Sequence, residues 1–168
     1  MPICPKCRAS YPPKERFCAT DAFVLVEQQD LDRIDTTIGN YHLDQILGRG
    51  GMGTVYSGEH VYIGKKVAVK VLHPQFAKYE DAVKRFLREA RAASSINHPN
   101  IVGIHRVGRD EERNLHFLVM EFLEGKTLSD VIEETGEFAV DEAISIISQC
   151  SDALAVAHDK NIIHRDIK

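Results

Sequence analysis

Between Tyr41 and Leu72 the chain reads YHLDQILGRGGMGTVYSGEHVYIGKKVAVKVL, and this stretch limits the possible folds more than any other. Three short runs rich in β-branched and aromatic residues, YHLDQILG, TVYSGEHV and KKVAVKVL, are separated by glycines, the pattern of successive antiparallel strands. The period then lengthens. Val83, Phe86, Leu87 and Ala90 follow the i, i+3, i+4, i+7 spacing of an amphipathic helix, closed off by Pro99 after Asn97 and His98. Two more strand-like runs follow, IVGIHRVG and NLHFLVMEFL. A helix over residues 139–159 then carries Ala143, Ile147, Cys150, Leu154 and Ala157 along one face. Five strands with one helix after the third, then two helices, predict an α+β fold. No internal repeat is visible.

Within the first hairpin, Gly48, Gly50 and Gly53 stand in G-x-G-x-x-G spacing, with Val55 two residues beyond. Glycines let a backbone approach phosphates closely, but glycine-rich turns also occur for purely structural reasons. A dinucleotide-binding loop runs from a strand into a helix; here another strand follows, as in a hairpin lying over a nucleotide. VAVK places Lys70 at the end of an apolar strand, where an ammonium needs an anionic partner. Glu89 on the following helix and the phosphates of ATP are the two candidates, although Glu89 taken alone reads better as one charge on a solvated face.

The first 26 residues are short of core material until FVLV, so this segment needs a staple. CPKC at residues 4–7 has zinc-knuckle spacing, and Cys18 follows in FCATD. The place of a fourth cysteine is taken by Asp21, and carboxylate oxygen is an accepted zinc ligand, so Cys4, Cys7, Cys18 and Asp21 form a C-x-x-C, C-x-x-D set. His42 is an alternative fourth ligand, and incidental cysteines on a metal-free tail are the plainer reading. A closed four-ligand site would be structural and hold one zinc ion. Cys150, remote in a periodic apolar segment, argues against a disulfide framework. Residues 27–37, EQQDLDRIDTT, read as a polar linker.

Glycine loop, Lys70, Glu89, HPNIV, FLVMEFLEG and HRDIK, taken together, resemble the front portion of a bacterial eukaryotic-like Ser/Thr protein kinase. The N-terminal segment resembles the zinc-ribbon modules that precede some bacterial kinases. The resemblance implies a protein-kinase small lobe, a five-stranded antiparallel sheet with the family's αC helix, over residues 38–123. The start of the large lobe would occupy 124–168, with a zinc ribbon at 1–26 and the linker before the small lobe. Leu47, Gly48, Gly50, Gly53, Val55 and Ala68 would enclose ATP. Met120 matches the gatekeeper, and Glu121 and Leu123 match the hinge. Lys70 would bind the α- and β-phosphates and be held by Glu89. Asp166 would accept the substrate hydroxyl's proton, with His164 and Arg165 as its scaffold, and Lys168 would neutralise the transferring phosphate. The family's magnesium ligands, an Asn five positions after Asp166 and the Asp of Asp-Phe-Gly, would fall beyond Lys168. The chain as it stands is therefore expected to be an N-terminal portion without appreciable kinase activity, with weak affinity for ATP and an exposed apolar stripe on the 139–159 helix. Its alternative is a non-catalytic nucleotide-binding or protein-interaction module.

A net charge of −4 provides no basic field for nucleic acid, although Lys6, Arg8, Lys14 and Arg16 make the first segment locally basic. No stretch reaches the roughly 18 apolar residues of a membrane span, and the N-terminus has no signal-peptide core. The expected setting is cytoplasmic, with protein Ser/Thr substrates for the longer kinase.

Overall fold

The computed structural model describes residues 1–165 and 167. Along the chain these form α1 (Gln28–Leu31), β1 (Thr37–Ile38), β2 (Tyr41–Arg49), β3 (Gly53–His60) and β4 (Lys66–Leu72). There follow α2 (Pro74–Ala77), α3 (Glu80–Ser94), β5 (Ile104–Asp110), β6 (Leu115–Glu121), α4 (Leu128–Thr135) and α5 (Val140–Asp159). Two compact units result, Met1–Ala90 with Ile104–Phe122, and Arg91–Gly103 with Leu123–Lys168.

In the first unit six strands form an antiparallel sheet in the order β1-β2-β3-β4-β6-β5. The expected five strands are joined at one edge by the two-residue β1, too short to leave a periodic signal. Alternation along β4 sorts side chains between the two faces. Val67, Val69 and Val71 bury with Tyr56, Phe117 and Val119 on one side. Leu72 lies on the other with Leu118 and with Phe86 and Ala90 of α3. Phe86 and Ala90 are the buried positions of α3, with Val83 and Leu87 packed partly against the same cluster, so the predicted apolar stripe is the face that meets the sheet. Each large side chain so buried contributes about 1.5–3 kcal/mol. Glu80 and Asp81 in the first turn and Arg91 in the last complement the helix dipole.

Residues 1–26 form a small module whose strand-like pairings are single bridges, Ile3 with Ser10 and Val26, and Phe17 with Val24. Cys4, Cys18 and Leu25 make its own small core, with Tyr11 alongside. Val26 instead joins the main sheet core. The segment 27–37, read from composition as a polar linker, is anchored to the sheet at Asp30 and Leu31, while Gln28, Gln29, Asp32 and Asp35 stay exposed. It holds α1 and the start of β1, Leu31 belongs to the sheet core, and Asp30 is fully buried. Its charges are matched by arginines, one of them distant in sequence, which composition does not reveal.

In the second unit, α4 is started by a capping box in which Thr127 Oγ1 accepts from the Asp130 amide at 3.1 Å and Asp130 accepts from the Thr127 amide at 2.9 Å. Helix α5 coincides with the predicted helix to within one residue; Ala153 and Ala157 are buried, whereas Val140, Ile144 and Ile147 are exposed. Asn100 Nδ2 donates to Gln149 Oε1 at 3.1 Å, and Lys160 donates to the Ser95 carbonyl. Among the described residues, no helix is long and apolar enough to cross a membrane.

Candidate functional site

Two groups of sequence-predicted site residues come together in the first unit. In the N-terminal module, one ligand atom each from Cys4, Cys7, Cys18 and Asp21 lies within 4.8 Å of all the others. Two backbone turns built alike produce this. Arg8 N donates to Cys4 O at 3.0 Å and Cys4 N to Ala9 O at 2.9 Å; Ala22 N donates to Cys18 O at 3.0 Å and Cys18 N to Phe23 O at 2.8 Å. Each turn aims the amide of its fourth residue at the leading sulfur, Cys7 N at Cys4 Sγ (3.5 Å) and Asp21 N at Cys18 Sγ (3.3 Å). Each then turns through a left-handed residue, Arg8 (φ 63°) and Ala22 (φ 54°). Asp21 thus occupies in the second turn the place Cys7 holds in the first. His42 is not among the gathered residues; it lies 3.9 Å from Asp44.

The electrostatics of this group describe a site suited to a cation. Cys7 is pushed up to about 12, chiefly by the Asp21 carboxylate, while Cys18 is drawn down to about 7, first by the Tyr11 hydroxyl 3.1 Å from its sulfur. Asp21 is lowered, first by its bond from Cys7, and helped by Lys6 at 3.5 Å. Four acidic groups this close cannot all ionise together without a positive charge among them. Three thiolates and a carboxylate are a donor set suited to tetrahedral zinc. Tyr11, beyond the four predicted ligands, hydrogen-bonds both Cys18 and the Ala19 amide (3.2 Å).

On the sheet, strand register sets Gly48 against Val55, Val55 against Lys70 and Lys70 against Leu118. One row across four strands therefore contains three of the predicted nucleotide residues. The next pairing on the same face sets Ala68 against Met120. Ala68 is buried, whereas Val55, Lys70 and Met120 are half-buried, so this part of the face stays partly open while Tyr56, Val69 and Val119 beneath it are sealed. Leu47 is exposed next to Gly48.

The three loop glycines divide by physical cause. A Cβ on Gly53 would lie 2.4 Å from the Val71 carbonyl oxygen, so packing alone explains that glycine. A Cβ on Gly48 would meet nothing within 4 Å and one on Gly50 only the Gly53 carbonyl at 3.7 Å, and neither has a positive φ. Neither crowding nor backbone strain accounts for them; open space above a backbone is what a phosphate cradle requires.

The Lys70–Glu89 ion pair implied by the resemblance is not formed among the described residues. Burial of Phe86 and Ala90 fixes which face of α3 meets the sheet, and Glu89, turned about 100° from Ala90, is left exposed. Glu121 ends β6, and Leu123 is exposed in the other unit. His164 and Arg165 follow α5, Arg165 with a left-handed backbone (φ 64°). Asp166 and Lys168 lie outside the described residues. Cys4, Cys7, Cys18 and Asp21 are the one such group of potential metal ligands among the described residues.

The six-stranded sheet with α3 packed on one face is the fold of a protein-kinase small lobe. The model of the protein kinase domain matches residues 41–168, and the chain belongs to the protein kinase family, enzymes that use ATP and magnesium. It is 42% identical over 130 residues to the serine/threonine-protein kinase PrkC of Bacillus subtilis, covering 77% of this chain and 20% of that protein. It is 45% identical over 144 residues to the serine/threonine-protein kinase Pkn1 of Myxococcus xanthus, covering 86% and 20%. The chain thus spans about a fifth of the length of these curated relatives. Among solved structures it is similar to the Mycobacterium tuberculosis PknI kinase domain, with a TM-score of 0.66 and 27% identity over 80% of this chain and 54% of that one.

Proposed function

We propose that residues 38–123 bind ATP through the glycine loop and Lys70, and that the longer kinase to which this chain corresponds phosphorylates Ser or Thr in proteins. The observation that carries the reading is the row Gly48–Val55–Lys70, with unexplained open space over Gly48 and Gly50. In this reading Leu47, Val55 and Ala68 enclose adenine, Met120 is the gatekeeper, and Glu121 and Leu123 offer hinge backbone groups. Lys70 neutralises phosphate charge, and Glu89 orients it. Asp166 takes the proton of the substrate hydroxyl and Lys168 faces the transferred phosphate, with magnesium supplying the remaining positive charge. Residues 1–26 are a zinc ribbon, with Cys4, Cys7, Cys18 and Asp21 holding one structural zinc ion. The lack of a Lys70–Glu89 pair favours a second reading, a non-catalytic nucleotide-binding module.

Titration with a fluorescent ATP analogue tests the binding step. Lys70→Met is expected to raise Kd at least about tenfold, the worth of a charge-assisted contact, with little effect on folding. Equal binding by both proteins would remove Lys70 from the nucleotide site. Phosphoryl transfer to a Ser/Thr peptide by the longer protein, abolished by Asp166→Asn, separates the enzyme from the binding module.

A further inference from the structure

The segment between the N-terminal module and the sheet contains a buried charge for which the kinase reading has no use. Asp30 has no exposed surface. Its carboxylate accepts from Arg33 Nη1 at 2.8 Å and from the Glu27 amide at 3.2 Å, and its backbone carbonyl accepts from Tyr56 Oη at 3.0 Å. Arg49 Nε, itself buried, lies 3.5 Å from Asp30 Oδ2, an ion-pair contact outside hydrogen-bond geometry, and Arg49 Nη2 lies 3.6 Å from Glu27 Oε1. Arg49 is the residue between Gly48 and Gly50. One planar guanidinium therefore faces two carboxylates of a single helical turn. That turn follows Val26, whose amide and carbonyl both pair with Ile3 at 2.9 and 2.8 Å, next to Cys4.

Buried ion pairs add little net stability, because desolvation offsets their attraction, but they do specify one geometry. A rigid fork reaching two carboxylates restricts orientation in a way that a lysine would not. We propose that Asp30 is a positioning residue for the nucleotide loop, holding Arg49 so that Gly48 and Gly50 keep one placement relative to the N-terminal module. The inference rests on the reading of that loop as the phosphate cradle.

The test uses the full, zinc-loaded chain and three variants, Asp30→Asn, Arg49→Met and Arg33→Met, followed by amide exchange and by titration with the fluorescent ATP analogue. Asp30→Asn and Arg49→Met are expected to speed exchange at Gly50, whose amide is held by the Gly53 carbonyl at 2.9 Å, by about tenfold, leaving Val69 and Val119 unchanged. Both should weaken nucleotide binding several-fold, and the double variant should be no worse than the worse single one. Arg33→Met, which removes a partner of Asp30 that is not in the loop, should leave Gly50 exchange within about twofold of the parent. The proposal is overturned if Arg49→Met leaves Gly50 exchange at the parent rate, or if Arg33→Met moves it equally. Should Asp30→Asn not fold, the Arg49→Met and Arg33→Met pair still decides. If the parent chain binds no nucleotide, the ATP reading fails, while the exchange comparison still settles the clamp.

Discussion

In the N-terminal module, four donor atoms from two like turns lie within 4.8 Å of one another; Lys70 and Glu89 come from a strand and a helix and, among the described residues, make no ion pair with each other. The difference follows from what holds each group. Each turn of the module is closed by its own backbone bonds within six residues, so the sulfurs and the carboxylate are placed locally. Lys70 and Glu89 are placed by two separate elements, and only the strand register is fixed by a continuous hydrogen-bond ladder. Local closure sets all four donor atoms within reach of a single ion. A site shared between elements can leave its charged groups apart.

Metal removal should break the comparison most sharply. Structural zinc supplies on the order of 10 kcal/mol of folding free energy in small modules. A strong chelator, or Cys18→Ser, is expected to remove the zinc and abolish amide protection across residues 3–26, while β3, β4 and β6 stay protected. Retention of protection in the module without zinc would mean that its backbone bonds suffice. Next in size is Gly53→Ala, which sets a methyl against the Val71 carbonyl and is expected to cost about 3 kcal/mol in a denaturant titration. A cost near zero would show that the strands can part to admit it. Asp21→Ala should keep one zinc per chain but weaken its binding by about tenfold or more, since the loss of even an outer partner of a ligand costs that much. Unchanged affinity in a competition assay would remove Asp21 from the ligand set. Smallest in stability is Gly50→Ala, expected to change folding by less than about 1 kcal/mol while weakening nucleotide binding. Parent-like nucleotide affinity in that variant would leave the second glycine without a role in the cradle.

How much of this was legible in the sequence depended on the range of the interactions. The runs of β2, β3 and β4, the stripe on α3 and the span of α5 follow from short periods and survive in the fold. The gathering of Cys4, Cys7, Cys18 and Asp21 was legible because both turns carry the same spacing. In segment 27–37 the burial of Asp30 was not legible, because its charge looks as solvated as those of Asp32 and Asp35 until Arg49, 19 residues beyond it, is brought against it. The sequence held Lys70 and Glu89 at family spacing, but their distance depends on the rotation of α3 about its axis, which burial of Phe86 and Ala90 decides.

The packing of Val26 and Leu31 into the sheet core bears on where this protein can be cut. The family match starts at Tyr41, yet the compact unit starts at Met1. A clone begun at the family boundary would strip the sheet of Val26, Leu31 and Ile38, strand the Tyr56 hydroxyl and leave the Arg49 guanidinium without either carboxylate. The domain model marks where the shared catalytic fold begins; the first residue to keep at the bench is set by side chains further upstream.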